Sequence, residues 1–274
     1  MAHAEMEAVS YTVSEGVATL TLNRPAQKNA LDMVMRREIG AVVASIRCDR
    51  GIRALILAGA GGAFCAGGDL RTMMDGGGTA EEARNRMADL HLWLAELLNL
   101  DRPVIAVVDG PAYGAGFGLA LAADFILATP RARFCLSFLK LGLVPDCAVL
   151  YTLPRVVGLQ RAKEMAFSTR EIDADEALRM GIVFEMHAPE RIDARALQLA
   201  LSFAQASQTA LGLTKRALNA SLDSSLATML ELEASGQALA RSTDFHRDAL
   251  LRFVKKQPQR FQWPQATDMT DVSE

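Results

Sequence analysis

Two glycine-rich segments decide the fold of this chain: FCAGGDL at residues 64–70 and GPAYGAGFG at residues 110–118. Each follows an apolar run, at residues 54–57 and 104–108, that is typical of a buried strand, and each then opens a predicted helix. The first N–H groups of a helix lack intrahelical partners and carry partial positive charge, and glycine lets a ligand approach them closely. Two such helix starts facing each other can hold one carbonyl oxygen, forming an oxyanion hole for an enolate derived from a thioester.

The composition predicts one large domain, or one domain with an appendage, over 274 residues. Half of the residues are hydrophobic, and the net charge of −3 comes without a basic block, so we expect no nucleic-acid partner. No apolar run reaches the roughly 20 residues of a membrane span, and residues 1–5 show no signal-peptide pattern. We therefore expect a cytoplasmic protein without membrane contact.

The four cysteines lack the spacing of a metal site or a disulfide framework; they are Cys48, Cys65, Cys135 and Cys147. The sequence therefore predicts free thiols in a reducing compartment and no bound metal.

Apolar periodicity predicts alternating strands and helices at first, and helices alone toward the end of the chain. The predicted strands are 9–13, 17–22, 53–57, 104–108, 124–128, 133–136 and 182–186. The first two are predicted to form a hairpin around Glu15-Gly16. The predicted helices are 31–46, 81–98, 147–157, 159–168, 174–180, 191–206, 209–220, 224–240 and 243–256. We predict a flexible loop at residues 72–79 and a frayed end at residues 257–274.

The order of these elements predicts the α/β fold class, with parallel strands joined by right-handed crossovers. We predict a β/α core over residues 1–200 and a helical C-terminal region over residues 201–274.

Several motifs together identify a family resemblance. The tripeptides Asn23-Arg24-Pro25 and Asn29-Ala30-Leu31, the two glycine-rich segments, and the stretches 142–146 and 153–158 resemble the enoyl-CoA hydratase/isomerase (crotonase) family over about residues 8–262. The resemblance implies a crotonase-like spiral of ββα turns with a helical oligomerisation region, assembled as a homotrimer or a dimer of trimers. It also implies an acyl-CoA substrate, no cofactor beyond the coenzyme A of that substrate, and an oxyanion hole formed by the N–H groups of Ala66 and Ala115.

Two departures separate this chain from the hydratases of the family. Those enzymes add water with two glutamates, and the corresponding positions here hold Gly118 and Phe138. Without two acid/base groups to orient a water molecule, ordinary hydration lacks its machinery. Asp146 remains, at a position where some members of the family carry their working carboxylate. The resemblance therefore implies that Asp146 is the catalytic base, and the structural alternative for this residue is a helix N-cap.

Within the family, the chain most resembles the 1,2-epoxyphenylacetyl-CoA isomerases, ring-opening enzymes of aerobic phenylacetate degradation that also move double bonds from position 3 to position 2. The resemblance is carried by residues 138–147, 153–155 and 212–219, whereas Ala148-Val149 replaces two glycines that are usual in these relatives. The expected function is a double-bond or ring-opening isomerase.

Three other functions stay open. These alternatives are a low-activity enoyl-CoA hydratase, a hydrolytic aryl-CoA dehalogenase and a non-catalytic CoA-binding protein. In a dehalogenase, Asp146 would be the nucleophile and His91 would activate water, while Phe138 replaces the tryptophan that cradles the aromatic ring. Taken alone, His91 on a predicted helix is more typical of packing or of the surface.

The resemblance also implies a set of substrate-binding residues: Lys28, Ala30, Ala66, Gly67, Gly68, Asp69, Leu70, Ala115, Gly116, Phe138 and Lys255. Lys28 and the Ala30 backbone are expected at the CoA nucleotide, and Lys255 at the CoA phosphates. For Asp69 we expect mainly a structural role, holding the first turn or capping the following helix.

Overall fold

The computed structural model describes residues 6–75 and 78–265, apart from the side chains of Met73 and Asp75. Part of the predicted loop, residues 76–77, and part of the predicted frayed end, residues 266–274, lie outside the described residues. The described strands are β1 (Val9–Ser14), β2 (Val17–Leu22), β3 (Ala54–Gly59), β4 (Val104–Val108), β5 (Pro111–Tyr113), β6 (Phe125–Ala128), β7 (Arg133–Cys135), β8 (Glu171–Asp173) and β9 (Glu185–Met186).

The described helices alternate with these strands and then continue alone to the end of the chain. They are α1 (Met33–Cys48), α2 (Leu70–Asp75), α3 (Ala80–Leu98), α4 (Ala115–Leu121), α5 (Val149–Val157), α6 (Leu159–Ser168), α7 (Ala174–Arg179), α8 (Pro189–Ala204), α9 (Gln208–Ala220), α10 (Leu226–Arg241) and α11 (Asp244–Val254).

The main sheet has the strand order β1-β2-β3-β4-β6-β9. β1 and β2 form the predicted antiparallel hairpin, and the remaining neighbours pair in parallel, which confirms the predicted parallel pairing. The sheet is covered on both faces, since Leu55 and Leu57 of β3 join the core that contains α1 and α3, while Ala54 and Ile56 join the core under α8. This double burial is the reason that the central strands have continuous apolar sequences.

A second sheet was missed by the sequence reasoning. It has the order β5-β7-β8, with β5 and β7 parallel and β7 and β8 antiparallel. β5 and β8 have three residues each, too few to show an apolar period. This sheet positions the site, because β5 leads directly into the second glycine-rich turn and α4.

Several predicted elements differ in the structure. The strand predicted over residues 182–186 is limited to β9, Glu185–Met186. The predicted loop 72–79 overlaps α2, so its first residues are helical. The helix predicted from residue 147 begins at Val149, because Cys147 and Ala148 both have left-handed backbone conformations, with φ of 51° and 59°. The predicted domain boundary at 200/201 falls inside α8, whose buried face packs on the sheet, and Leu211 of α9 still packs against the same core.

The end of the described chain folds back over the main sheet. Arg195 of α8 is fully buried and donates to the Glu185 carboxylate and to the carbonyl oxygens of Pro264 and Gln265. Trp263 packs against three aromatic rings, those of Phe125, Phe184 and Phe203. By contrast, α10 and α11 bury no residue within this single chain. Among the described helices, none combines the length and apolar character that crossing a membrane requires.

Candidate active site

The two glycine-rich turns lie against each other, as the sequence predicts. The N–H groups of Phe64 and Cys65 both donate to the Pro111 carbonyl at 3.0 Å, and the Tyr113 N–H donates to the Cys65 carbonyl at 2.9 Å. Gly67 has a φ of 99°, and a Cβ built on it would lie 2.8 Å from the Tyr113 carbonyl oxygen and 3.6 Å from the Ala115 nitrogen. Only glycine therefore permits this approach.

The predicted donor in the first turn is wrong. The Ala66 N–H donates to the Lys28 carbonyl oxygen at 2.9 Å, so it is not available to a substrate. Gly68, two residues further on, is paired with Leu31 as in a parallel sheet, but the hydrogen bonds are made by its two neighbours. The Gly67 carbonyl accepts the Leu31 N–H, and the Asp69 N–H donates to the Leu31 carbonyl. Within residues 6–75 and 78–265, the Gly68 N–H has no protein acceptor. Gly68 is therefore the donor that this turn offers.

The second turn offers its donors through the start of α4. Gly114 precedes the helix, with a φ of 51°, and no side chain caps the helix. The N–H of Ala115, the first helical residue, therefore has no intrahelical acceptor. A Cβ built on Gly116 would lie 2.3 Å from the Cys65 carbonyl oxygen, which explains why the helix begins with so little side-chain volume.

Asp146 lines a cavity of about 480 Å³ beside the first turn. The cavity is lined by residues from α1, α2, α3 and the segment before α5: Leu31, Met33, Arg36, Asp69, Thr72, Ala83, Arg86, Met87, His91, Leu143, Val144, Pro145 and Asp146. Asp69, the residue after Gly68, is part of this lining, so the cavity lies against the first glycine-rich turn. The structure thus brings the predicted base next to the glycine-rich turns.

The Asp146 carboxylate is not a helix cap. Ala148 occupies the N-cap position of α5, which no side chain caps, and Asp146 contributes only its backbone carbonyl to Val149. Its Oδ1 atom is buried and has no hydrogen-bond partner among the described residues. Burial raises the pKa of Asp146, and the charges of Arg36 and His91 and a hydrogen bond with the Cys147 side chain oppose this rise only in part. A buried carboxylate with a raised pKa suits proton transfer near neutral pH.

The space beside Gly118 is filled by the segment before α5. A Cβ built on Gly118 would lie 2.6 Å from the Cys147 Cβ and 2.9 Å from the Val149 Cγ2. A longer side chain at position 118 would therefore displace this segment. Phe138 is buried, and its Cζ atom would lie 3.8 Å from a Cβ built on Gly114. The Phe138 ring therefore packs beside the second glycine-rich turn.

Asp69 has the predicted structural role. Its carboxylate forms a 3.0 Å ion pair with Arg24 and accepts the Arg71 N–H at 3.0 Å, at the start of α2. Although burial alone would raise it, these hydrogen bonds hold the pKa of Asp69 below its usual value. Asp69 therefore stays ionised and fixes the turn, which is incompatible with proton transfer.

His91 and Arg36 complete the polar lining of the cavity. His91 lies on α3 with an exposed side chain. Arg36 lies on α1, and its Nε atom is buried without a hydrogen-bond partner. Sequence reasoning missed Arg36; the available signal was its position three and seven residues before the buried Ile39 and Val43, which places it beside the apolar stripe of α1.

The remaining predicted binding residues lie outside the lining of this cavity. Lys28 is exposed beside the first turn, and Leu70 is exposed at the start of α2. The Ala30 N–H donates to the Gln27 carbonyl, and the Ala30 carbonyl oxygen accepts from both Arg24 Nη1 and the Asp32 N–H, so the protein already engages both backbone groups expected at the nucleotide. Lys255 is exposed at the end of α11 and does not line the cavity.

Comparisons with known proteins agree with this architecture. The family model for enoyl-CoA hydratase/isomerase matches residues 12–265. A 1,2-epoxyphenylacetyl-CoA isomerase of Escherichia coli (strain K12) is 37% identical over 93% of this chain and 98% of its own length. A probable enoyl-CoA hydratase of Rhodobacter capsulatus is also 37% identical, over 92% of this chain and 97% of its own.

Among solved structures, an enoyl-CoA hydratase/isomerase from Cupriavidus metallidurans CH34 matches with a TM-score of 0.91 and 47% identity, over 96% of this chain and 99% of that one. These matches confirm the fold class and the family resemblance that the two glycine-rich segments indicated. The chain belongs to the enoyl-CoA hydratase/isomerase family.

Proposed function

We propose that this enzyme isomerises an acyl-CoA thioester by moving a proton between carbons of the acyl group. The thioester oxygen accepts hydrogen bonds from the N–H groups of Gly68 and Ala115, which stabilise the enolate. Asp146 removes a proton from one carbon and returns it to another, so that the double bond changes position and no atom is gained or lost. The observation that carries this proposal is the buried Asp146 Oδ1 without a partner, in the cavity that reaches the first turn.

The name of one relative supports isomerisation. The relative from Escherichia coli is a 1,2-epoxyphenylacetyl-CoA isomerase, and the similarity extends over nearly the full length of both chains. We propose a double-bond or ring-opening substrate of this class, in which the proton is removed next to a thioester carbonyl. The chemistry needs donors and one carboxylate, so we propose no cofactor beyond the coenzyme A of the substrate.

Packing argues against efficient hydration. Family hydratases would carry a glutamate at position 118, and the Cys147 and Val149 side chains occupy the space that it would need. The proposed enzyme therefore has one acid/base group at the reacting carbons where hydration needs two. We expect water addition to a 2-enoyl-CoA to be much slower than isomerisation of a 3-enoyl-CoA.

A second candidate function is hydrolytic removal of a leaving group from an aryl-CoA. It is favoured by one observation, namely that His91 lines the same cavity as Asp146. In that reaction Asp146 attacks the ring carbon and His91 activates the water that releases the product. His91→Gln separates the two reactions, because it would abolish hydrolysis and leave an isomerase nearly unaffected.

We also propose a homotrimer or a dimer of trimers in the cytoplasm. The support for assembly is the set of apolar side chains that α10 and α11 expose in the single chain, among them Leu226, Leu250, Phe253 and Val254. Light scattering of the purified protein measures the assembly directly, and a monomer would contradict it.

The decisive experiment replaces Asp146 with Asn and follows conversion of trans-3-hexenoyl-CoA to the conjugated 2-isomer by absorbance. We expect kcat to fall by about 10²- to 10⁴-fold, the usual contribution of a general base. Crotonyl-CoA hydration and halide release from a halobenzoyl-CoA are measured in parallel. Full isomerase activity in Asp146→Asn would refute the base, and thioester binding without turnover on all three substrates would favour a non-catalytic CoA-binding protein.

A further inference from the structure

Arg36 faces the reaction cavity without a partner. It lines the cavity together with Asp146, and the proposed reaction makes no use of it. Its Nε atom and the Asp146 Oδ1 atom are both buried, and neither has a hydrogen-bond partner, so they do not bond to each other. Buried polar atoms are almost always hydrogen-bonded in folded proteins. The cavity therefore contains a donor and an acceptor that both lack the groups they would bind.

The other charged groups of the cavity are already engaged or reach solvent. Asp69 is paired with Arg24 at 3.0 Å. The Arg86 side chain is partly exposed, and its Nη1 atom would lie 3.3 Å from a Cβ built on Gly78, ahead of α3. His91 is exposed. Among the charged groups of the lining, Arg36 on α1 and Asp146 before α5 each have a buried atom without a hydrogen-bond partner within the described residues.

This arrangement fits an acyl group with two different ends. The carbon that exchanges its proton must face Asp146. When the acyl group fills the cavity, another part of it must contact Arg36. A hydrocarbon chain would cover the partly exposed guanidinium and leave its cavity-facing N–H groups without a hydrogen bond, which is unfavourable. An oxygen atom on the acyl chain would accept this hydrogen bond, and a carboxylate would accept two from the planar guanidinium.

We propose that Arg36 determines substrate specificity by binding an oxygen acceptor on the acyl group, so that the preferred thioesters carry a hydroxyl, ether, carbonyl or carboxylate oxygen beyond the reacting carbons. The inference rests on the proposed function in placing the acyl group in this cavity. Arg36 also lowers the pKa of Asp146 through its charge. That effect is felt equally by all substrates, so it does not discriminate among acyl groups.

Binding is tested with three saturated thioesters that cannot react: hexanoyl-CoA, 6-hydroxyhexanoyl-CoA and adipoyl-CoA. Dissociation constants are measured by calorimetry for the wild type, Arg36→Met and Arg36→Lys. The control is Arg37→Met, since Arg37 is exposed on the next position of the same helix. We expect the wild type and Arg37→Met to bind at least one oxygenated thioester about tenfold more tightly than hexanoyl-CoA, the usual effect of one charged hydrogen bond.

Arg36→Met should lose this preference, and Arg36→Lys should keep part of it only if the acceptor is the carboxylate. A preference for 6-hydroxyhexanoyl-CoA identifies a neutral acceptor, and one for adipoyl-CoA identifies an anionic acceptor. Equal affinities of the wild type for all three thioesters, or an equal weakening of all three in both Arg36 variants, would overturn the inference. Isomerisation of trans-3-hexenoyl-CoA is assayed separately, so an intact binding preference without turnover would contradict the proposed function alone.

Discussion

The two glycine-rich turns look alike in sequence but differ in which backbone N–H groups they leave available to a substrate. In the first turn, the Ala66 N–H is bonded to Lys28, the Asp69 N–H is bonded to Leu31, and the Asp69 carboxylate caps α2. In the second turn, α4 starts after Gly114 with no side-chain cap. The first turn therefore offers the Gly68 N–H between two engaged neighbours, whereas the second offers an open helix start. A glycine-rich turn supplies donors only where neither a neighbouring segment nor a cap has taken them.

The largest expected effect comes from forcing the two turns apart. In Gly116→Ala the new methyl group would lie 2.3 Å from the Cys65 carbonyl oxygen, a contact with backbone that cannot rotate away. We expect the free energy of unfolding to fall by about 3 kcal/mol or more and isomerase activity to disappear. Urea titration measures the first, and the hexenoyl-CoA assay the second.

The control is Gly236→Ala in α10, where the added methyl group meets nothing within 4 Å. Its helix propensity should make this variant more stable by up to about 1 kcal/mol. Similar stabilities for the two variants would show that the turns are not in tight contact.

The second prediction separates the two N–H groups within the first turn. Replacing the Gly68 amide with an ester removes a proposed oxyanion donor, so kcat should fall by about 10²- to 10³-fold with little change in stability. The same replacement at Ala66 removes the bond to Lys28 and should cost about 1 kcal/mol of stability with a smaller effect on kcat. A larger loss of kcat at Ala66 than at Gly68 would reverse the assignment.

The third prediction concerns the cap that distinguishes the first turn. Asp69→Asn removes the charge that pairs with Arg24, and we expect a loss of about 1–2 kcal/mol of stability at pH 7. Despite its burial, hydrogen bonds from Arg24 and the α2 backbone hold the pKa of Asp69 below its usual value in the folded protein. Its stabilisation is therefore present above the unfolded pKa and is lost as pH falls through the folded one. Thermal melts from pH 7 to pH 3 should show the wild type and the variant converging.

The smallest effect has the opposite sign and concerns the second aspartate of the cavity. Burial raises the pKa of Asp146, so its charged form destabilises the fold as pH rises through the folded pKa. Asp146→Asn should therefore be more stable than the wild type at pH 7, by up to about 1 kcal/mol, and lose this advantage in acid. A variant that is less stable at pH 7 would indicate that Asp146 is a structural ion.

Local patterns predicted most of the fold. The hairpin β1–β2 and the strands β3 and β4 were predicted because alternating or continuous apolar residues report burial within a single segment. The three-stranded sheet was missed because β5 and β8 are formed by pairing with β7, a contact between distant segments. Residues 72–75 of α2 were predicted as part of a loop because the glycines that follow them dominate the local composition.

The site was predicted at the level of its parts but not of its atoms. Asp146 and the contact between the two turns could be predicted, since they follow from motifs. The donor was placed at Ala66 instead of Gly68, because the choice depends on which N–H groups Lys28 and Leu31 engage, some 40 residues away in the chain. Arg36 was missed because an arginine beside an apolar stripe usually reaches solvent.

The folded-back chain end described above has a practical consequence for protein engineering. Arg195 depends on the carbonyl groups of Pro264 and Gln265, and Trp263 shields Phe125 and Phe203. A truncation that removes residues 263–265 would leave the buried Arg195 guanidinium without these two acceptors and expose the aromatic rings to water. Affinity tags and fusion partners are therefore best attached after Gln265, where they leave the contacts of Trp263, Pro264 and Gln265 intact.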